Sequence, residues 1–183
     1  LKNAALDARV ESLWGKLRTT PAEKAKQIES TKRKLTRELL AEGDPSLGRA
    51  IFQKTCANCH KLFDSGGAIG PNITGSQRTN VDYLVETLVD PSAAVAKDYQ
   101  MQIIETTTGR VITGLVVEDL PAALTVQTVN ERVVVPKAEV DRRTPSPLSM
   151  MPEGMLANLT NAELRGLFAY LMGPGQVPLP NAK

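Results

Sequence analysis

Both cysteines and the single histidine of this chain fall within five consecutive positions, Cys56-Ala57-Asn58-Cys59-His60. Two cysteines so close together cannot build the disulfide framework of a small secreted scaffold. One histidine cannot supply a two-histidine metal site or a histidine pair for acid–base work. Structural zinc needs four ligands, and the chain offers only three soft ones. A thioredoxin-like redox pair needs the motif between a strand and a helix, whereas Leu47-Gly48-Arg49-Ala50-Ile51-Phe52, leading into it, has the pattern of a helix.

C-x-x-C-H is the attachment signature of a c-type haem. On one helical turn the two thiols reach the two vinyl groups of a porphyrin, and the histidine that follows is delivered beneath the iron. Cys56 and Cys59 are therefore read as the covalent anchors of one haem c, and His60 as an axial ligand. With no second histidine, bis-histidine ligation within the chain is impossible. The soft candidates for the opposite side are Met101, Met150, Met151, Met155 and Met172. A histidine–methionine pair raises the reduction potential and suits electron transfer rather than oxygen activation.

The rest of the chain divides by composition. Residues 1–42 form a basic helical leader with ten Lys/Arg and six acids. Thr20-Pro21-Ala22-Glu23 reads as a helix start, with Ile28, Leu35 and Leu39 recurring at helical spacing. Its Lys32-Arg33-Lys34 run reads as a solvated face, or alternatively as a docking patch for an acidic partner. Residues 43–96 hold the haem motif, with Ser46 expected to cap the helix before it, a glycine-rich loop over Ser65–Pro71 and a short amphipathic helix over Val81–Val89. Tyr83, Trp14, Leu84 and Leu88 read as core.

Residues 97–144 form a β-rich insert. Between Met101 and Val135, 17 of 35 positions are Val, Ile or Thr, which predicts three to five short antiparallel strands with turns at Thr108-Gly109 and Val129-Asn130-Glu131. Residues 145–174 comprise a methionine loop and a closing helix with capping-box spacing at Thr160 and Glu163, and 175–183 a tail. The expected fold is mainly α with an inserted small antiparallel sheet, α+β overall.

Charge and hydropathy narrow the partners. With 22 Lys+Arg against 20 Asp+Glu, the surface is too balanced to argue for nucleic acid. No apolar run reaches membrane-spanning length, and the first residues lack a signal peptide's apolar region. Leu1 is not a start methionine, which is expected of a mature form or a piece of something longer.

These motifs resemble a class I c-type cytochrome. Gly48 and Phe52 before the haem motif, with Leu167-Phe168-Ala169-Tyr170-Leu171 at the other end, look like that family's paired terminal helices, where glycine lets the helices cross closely and aromatics lock the crossing. Gly70-Pro71-Asn72-Ile73-Thr74-Gly75 is similar to its loop after the haem, implying that the Pro71 carbonyl accepts a hydrogen bond from His60 and orients it. The family's methionine–proline ligand pair implies Met151 as the sixth ligand, with Met150 next to it as the runner-up and an open or water-bound iron as a further alternative. Arg78 and Asn72 are weaker candidates for holding haem propionates, against the plain reading of an exposed loop arginine.

A narrower resemblance covers about residues 46–172. Leu47–Phe52, C-x-x-C-H, Gly70-Pro71, Asp90-Pro91-Ser92, Gly109–Gly114 and Met151-Pro152-Glu153-Gly154 look like the haem-binding domain described from planctomycete and verrucomicrobial proteins. Trp14-Gly15 and the basic helix are similar to what often precedes it. That domain commonly sits at the C-terminus of large exported, dehydrogenase-like proteins. The resemblance implies a mono-haem electron carrier, not itself an enzyme, passing single electrons between a dehydrogenase, fused or separate, and a downstream acceptor. A haem-based sensor with a displaceable methionine is the alternative; peroxidase-like catalysis lacks a distal histidine. Because c-type haem is attached outside the cytoplasm, the expected location is periplasmic or otherwise extracytoplasmic.

Overall fold

The computed structural model describes residues 4–14 and 18–180. Leu1, Gly15 and the Trp14 side chain lie outside the described residues. The elements run α1 (Ala4–Trp14), α2 (Ala22–Arg33), α3 (Arg37–Ala41), α4 (Pro45–Thr55), β1 (Lys61–Leu62), β2 (Ser65–Gly66), α5 (Val81–Val89), β3 (Gln102–Thr106), β4 (Val111–Asp119), β5 (Ala123–Gln127), β6 (Arg132–Pro136), β7 (Val140–Pro145) and α6 (Asn161–Met172). Helices and antiparallel sheets thus both occur, an α+β chain, and they gather into two compact units.

One unit comprises Thr19–Pro91 with Glu153–Lys183. Its central contact is the crossing of α4 and α6. Phe52, Phe168 and Tyr170 are almost wholly buried there, and the closing helix turns Leu164, Leu167 and Leu171 inward as the apolar stripe requires. A Cβ at Gly48 would overlap the Gly166 carbonyl oxygen and lie 2.8 Å from the Tyr170 Cβ. Only glycine permits that approach. The α6 capping box forms, with Thr160 accepting from the Glu163 N–H and Glu163 Oε2 from the Thr160 N–H. On the other side, α2 packs along α5, buries Ile28, and extends Lys32 to Asp82 and Glu86, each at 3.0 Å.

Local chemistry moves some boundaries. Asp44, not Ser46, caps α4: its carboxylate accepts from the Ser46 N–H at 2.8 Å, while Pro45 fills the first turn, where no N–H is needed. Pro21 stands at the cap of α2 rather than inside it. The Ile28, Leu35, Leu39 recurrence spans a break, because Thr36 caps a separate α3 by accepting from the Leu39 N–H. The segment read as a tail is held as far as Val177: Arg49 donates to the Val177 carbonyl and the Tyr170 hydroxyl to Gln176 at 2.8 Å.

The other unit comprises the chain up to Arg18 with Ser92–Pro152. Its five strands form one antiparallel sheet of order β6-β5-β4-β3-β7: β3 to β6 make a four-strand meander, and the fifth strand, β7, returns beside β3. Ile104, Ile112, Leu124, Val126 and Val135 form its core, matching the alternation of β-branched residues along the strands. Gly109 at φ +81° makes the β3–β4 turn, and the Thr128 hydroxyl accepts from Asn130 and Glu131 in the β5–β6 turn.

The units do not follow the compositional pieces. The Arg18 N–H donates to the Ala93 carbonyl and its guanidinium to that of Pro147, so the leader divides after Arg18. The methionine loop is tied by Ser146 N–H to the Met101 carbonyl and Ser149 N–H to the buried Ser92 hydroxyl. It therefore groups with the sheet, and the 145–174 piece divides between Pro152 and Glu153.

Candidate functional site

The C-x-x-C-H segment begins where α4 ends. Cys56 is the C-cap residue, its N–H donating to the Phe52 carbonyl, and the Cys59 and His60 N–H groups both turn back to the Cys56 carbonyl, at 3.1 and 2.9 Å. That tight turn holds the two thiols and the imidazole on one short stretch of backbone. Both thiols are half-buried and neither is in a disulfide. Burial pushes the Cys56 thiol above its ordinary pKa, and the Thr55 hydroxyl, 3.2 Å from the sulfur, offsets part of that.

The following residues wrap this turn with backbone. The Gly67 N–H donates to the Ala57 carbonyl at 2.7 Å, Gly70 N–H to Cys59 at 2.8 Å, and Ile73 N–H to Lys61 at 2.9 Å. Gly70 is required by the imidazole itself: a Cβ there would lie 2.6 Å from His60 Cε1 and 2.9 Å from Nδ1. His60 Nδ1 lies 3.0 Å from the Pro71 carbonyl oxygen. A carbonyl can only accept, so Nδ1 carries a proton, and in the neutral ring Nε2 then keeps its lone pair. This is the tautomer a metal-ligating histidine needs, with its orientation fixed from behind. Gly70→Ala will therefore displace the ring, and a histidine-ligated iron will lose its low-spin spectrum in most of the population; an unchanged spectrum would refute the steric argument.

Asn72 and Arg78 both make backbone contacts in and after this loop. Asn72 Oδ1 accepts from the Thr74 N–H at 3.0 Å, which shapes the turn after Pro71. Arg78 Nε donates to the Thr74 carbonyl at 2.9 Å, and Nη1 to the carbonyls of Leu171 and, at 2.9 Å, Gly173. Arg78 thus joins the loop to the C-terminal end of α6, where a cation also complements the helix dipole. Met151 is half-buried in the sheet-bearing unit, its N–H donating to the Ser149 hydroxyl at 3.1 Å, with Met150 beside it.

Phe63 is the residue that sequence reasoning missed. It and Asp64 form the β1–β2 turn with φ of 49° and 62°, an uncommon conformation for a large side chain. Neighbours hold it there: the ring meets Tyr170 edge to face at 5.8 Å, the Arg78 guanidinium lies 4.8 Å above it, and its N–H donates to the Thr74 hydroxyl. Tyr170 in turn meets Phe52 at 5.6 Å. One aromatic line therefore connects the α4–α6 crossing to the hairpin after His60. The signal available in the sequence was Phe63-Asp64-Ser65-Gly66, a turn-forming run directly after the motif.

The donor set fits a covalently attached haem. Two free thiols stand three residues apart, a correctly tautomerised imidazole follows, and a glycine leaves that ring its space. Comparison with known proteins points the same way. Residues 43–104 match the family model described as cytochrome c oxidase, cbb3-type, subunit III. Over 52 residues the chain is 42% identical to a cytochrome c-553-like protein of Synechocystis sp., a match covering 28% of this chain and 49% of that protein. The chain thus spans about half the length of that relative. With Cys56–His60 inside the matched family segment, these findings support a class I c-type cytochrome, a family that implies covalently bound haem c and electron transfer.

Proposed function

We propose that the chain is a mono-haem electron carrier, passing single electrons between a dehydrogenase, fused or separate, and a downstream acceptor in the periplasm or another extracytoplasmic compartment. The observation that carries this reading is the imidazole fixed between the Pro71 carbonyl and the bare Cα of Gly70, next to two free thiols. Cys56 and Cys59 anchor the haem, and His60 and Met151 ligate it. Held by these residues, a haem would supply reversible one-electron chemistry.

The chain's residues then act on that chemistry by position. Pro71 holds the His60 ring in one orientation. Asn72 fixes the loop, and Arg78 ties it to α6. Fixed ligands reduce rearrangement on gaining or losing an electron, which suits a carrier rather than an enzyme. The motif sequence from Leu47 to Gly154 favours the planctomycete-type subgroup, whose members are often joined to dehydrogenase-like regions. Among the described residues no helix is long and apolar enough to cross a membrane.

Intact mass tests the central claim. The matured protein will carry the additional mass of one haem through denaturation, and Cys56→Ser with Cys59→Ser will lose it entirely. A mass equal to the bare chain after co-expression with a haem-attachment system would end this reading.

A further inference from the structure

The basic helix α2 lies outside the matched family segment, yet one of its lysines reaches the carboxylate two residues after Met151. Lys24 Nζ donates to Asp90 Oδ1 at 2.8 Å and to Glu153 Oε1 at 2.5 Å. All three belong to the unit that holds the haem motif. Glu153 follows directly after Met151-Pro152 in the chain.

The placement of Asp90 is costly by itself. It is the C-cap residue of α5, at the negative end of that helix, and it is only 4% exposed. A buried carboxylate there is tolerated when a cation answers it, and among the described residues Lys24 is the cation it pairs with. Lys24, itself 16% exposed, then has donors left for Glu153, which is 48% exposed and would otherwise gain little from any ion pair. The hydrogen bonds that the ammonium donates to Asp90 and then to Glu153 raise the Lys24 pKa, so it stays charged through neutral pH.

Without Lys24, two carboxylates that share one ammonium would face each other, one of them buried. Repulsion and rehydration would drive Glu153 away and release the chain just past Pro152. Lys32 makes a similar double contact from the same helix to Asp82 and Glu86, but both of those partners lie on α5.

We infer that Lys24 is a positioning residue for the methionine ligand: it clamps Glu153 to Asp90 and thereby holds the end of the Met151 loop in place. This rests on the proposed ligation by Met151. It gives α2 a task inside the cytochrome unit.

The test compares matured Lys24→Met, Lys24→Arg, Lys32→Met, Glu153→Gln and Met151→Ala with the parent. It reads the far-red methionine-to-iron charge-transfer band of the oxidised protein, the reduction potential, and carbon monoxide binding to the reduced protein. In Lys24→Met the fraction with methionine dissociated should rise about tenfold, the change expected on losing one charge-assisted hydrogen bond. The band should weaken, the potential fall and carbon monoxide bind faster. Lys24→Arg should restore most of the band, and Lys32→Met should resemble the parent. If Lys24→Met does not mature, Glu153→Gln, which leaves the Lys24–Asp90 pair intact, should show the same changes to a smaller degree. Parent-like values in Lys24→Met, or in Glu153→Gln where that variant stands in, overturn the clamp. So do equal losses in Lys24→Met and Lys32→Met. A parent that already lacks the band and matches Met151→Ala instead overturns methionine ligation itself, and the clamp with it.

Discussion

Gly48→Ala will unfold the haem-bearing unit well below the melting temperature of the parent. A methyl group there would overlap the Gly166 carbonyl oxygen and come within 2.8 Å of the Tyr170 Cβ. The obstruction is backbone and Cβ, not the flexible end of a side chain, so α4 and α6 must separate. Overpacking of this kind costs about 1–3 kcal/mol or more, while alanine's better helix propensity returns up to about 1 kcal/mol. Separation would also loosen the edge-to-face contacts of Tyr170 with Phe52 and Phe63. With those two contacts counted at about 0.5–1.5 kcal/mol each, the net loss is about 1–5 kcal/mol, a large share of the roughly 5–15 kcal/mol that holds a domain together. It should lower the melting temperature by about 5 °C or more. Gly175→Ala, at a site where a Cβ meets nothing within 4 Å, provides the control and should change little. Thermal unfolding followed by helix circular dichroism decides the matter: equal melting temperatures would show that the crossing can open without cost.

The same crossing marks how far the sequence could be read. The leucine–aromatic stripe of α6 could be read from its 3.6-residue periodicity, whereas Gly48 and Phe52 were marked by the resemblance to class I c-type cytochromes. The His60–Pro71 pairing came from a motif whose two parts stand eleven residues apart, within one local loop. The sheet was legible as strands through β-branching, though not in its order, because pairing β7 beside β3 depends on contacts nearly forty residues apart. Charges were harder still. Lys24 looks like any solvated lysine on a basic helix, and nothing in its neighbourhood reveals that Asp90 and Glu153 lie 66 and 129 residues along the chain. Arg78 could be read from the sequence as a propionate partner or as an exposed loop arginine, and neither reading anticipates its donation to the carbonyls of Leu171 and Gly173. The division of the leader after Arg18 was invisible for the same reason: composition is continuous there, and the hydrogen bonds to Ala93 and Pro147 are not local.

Met151→Ala will separate the two adjacent methionines. Losing a thioether ligand from a histidine-ligated haem removes the far-red charge-transfer band, leaves a site that reduced protein fills with carbon monoxide, and lowers the potential, since a methionine ligand is what raises it. The fall should be about 0.1 V or more, a fraction of the roughly 0.8 V that axial ligands span. Met150→Ala should keep the band and shift the potential little. The local backbone gives the pair different standing: the Met151 N–H is fixed to the Ser149 hydroxyl at 3.1 Å, and Pro152 restricts the residue before it, so position 151 is held from both sides. Met150 has no proline following it and serves as the spacer. Redox titration of both variants with the parent separates three results. Loss in Met151→Ala alone assigns the ligand, loss in Met150→Ala alone moves it by one residue, and loss in neither means that the haem opposite His60 takes its sixth ligand from elsewhere or is open. That last result would reopen ligand binding as the chain's task, because an iron with a free position exchanges small molecules where a fully ligated one exchanges electrons.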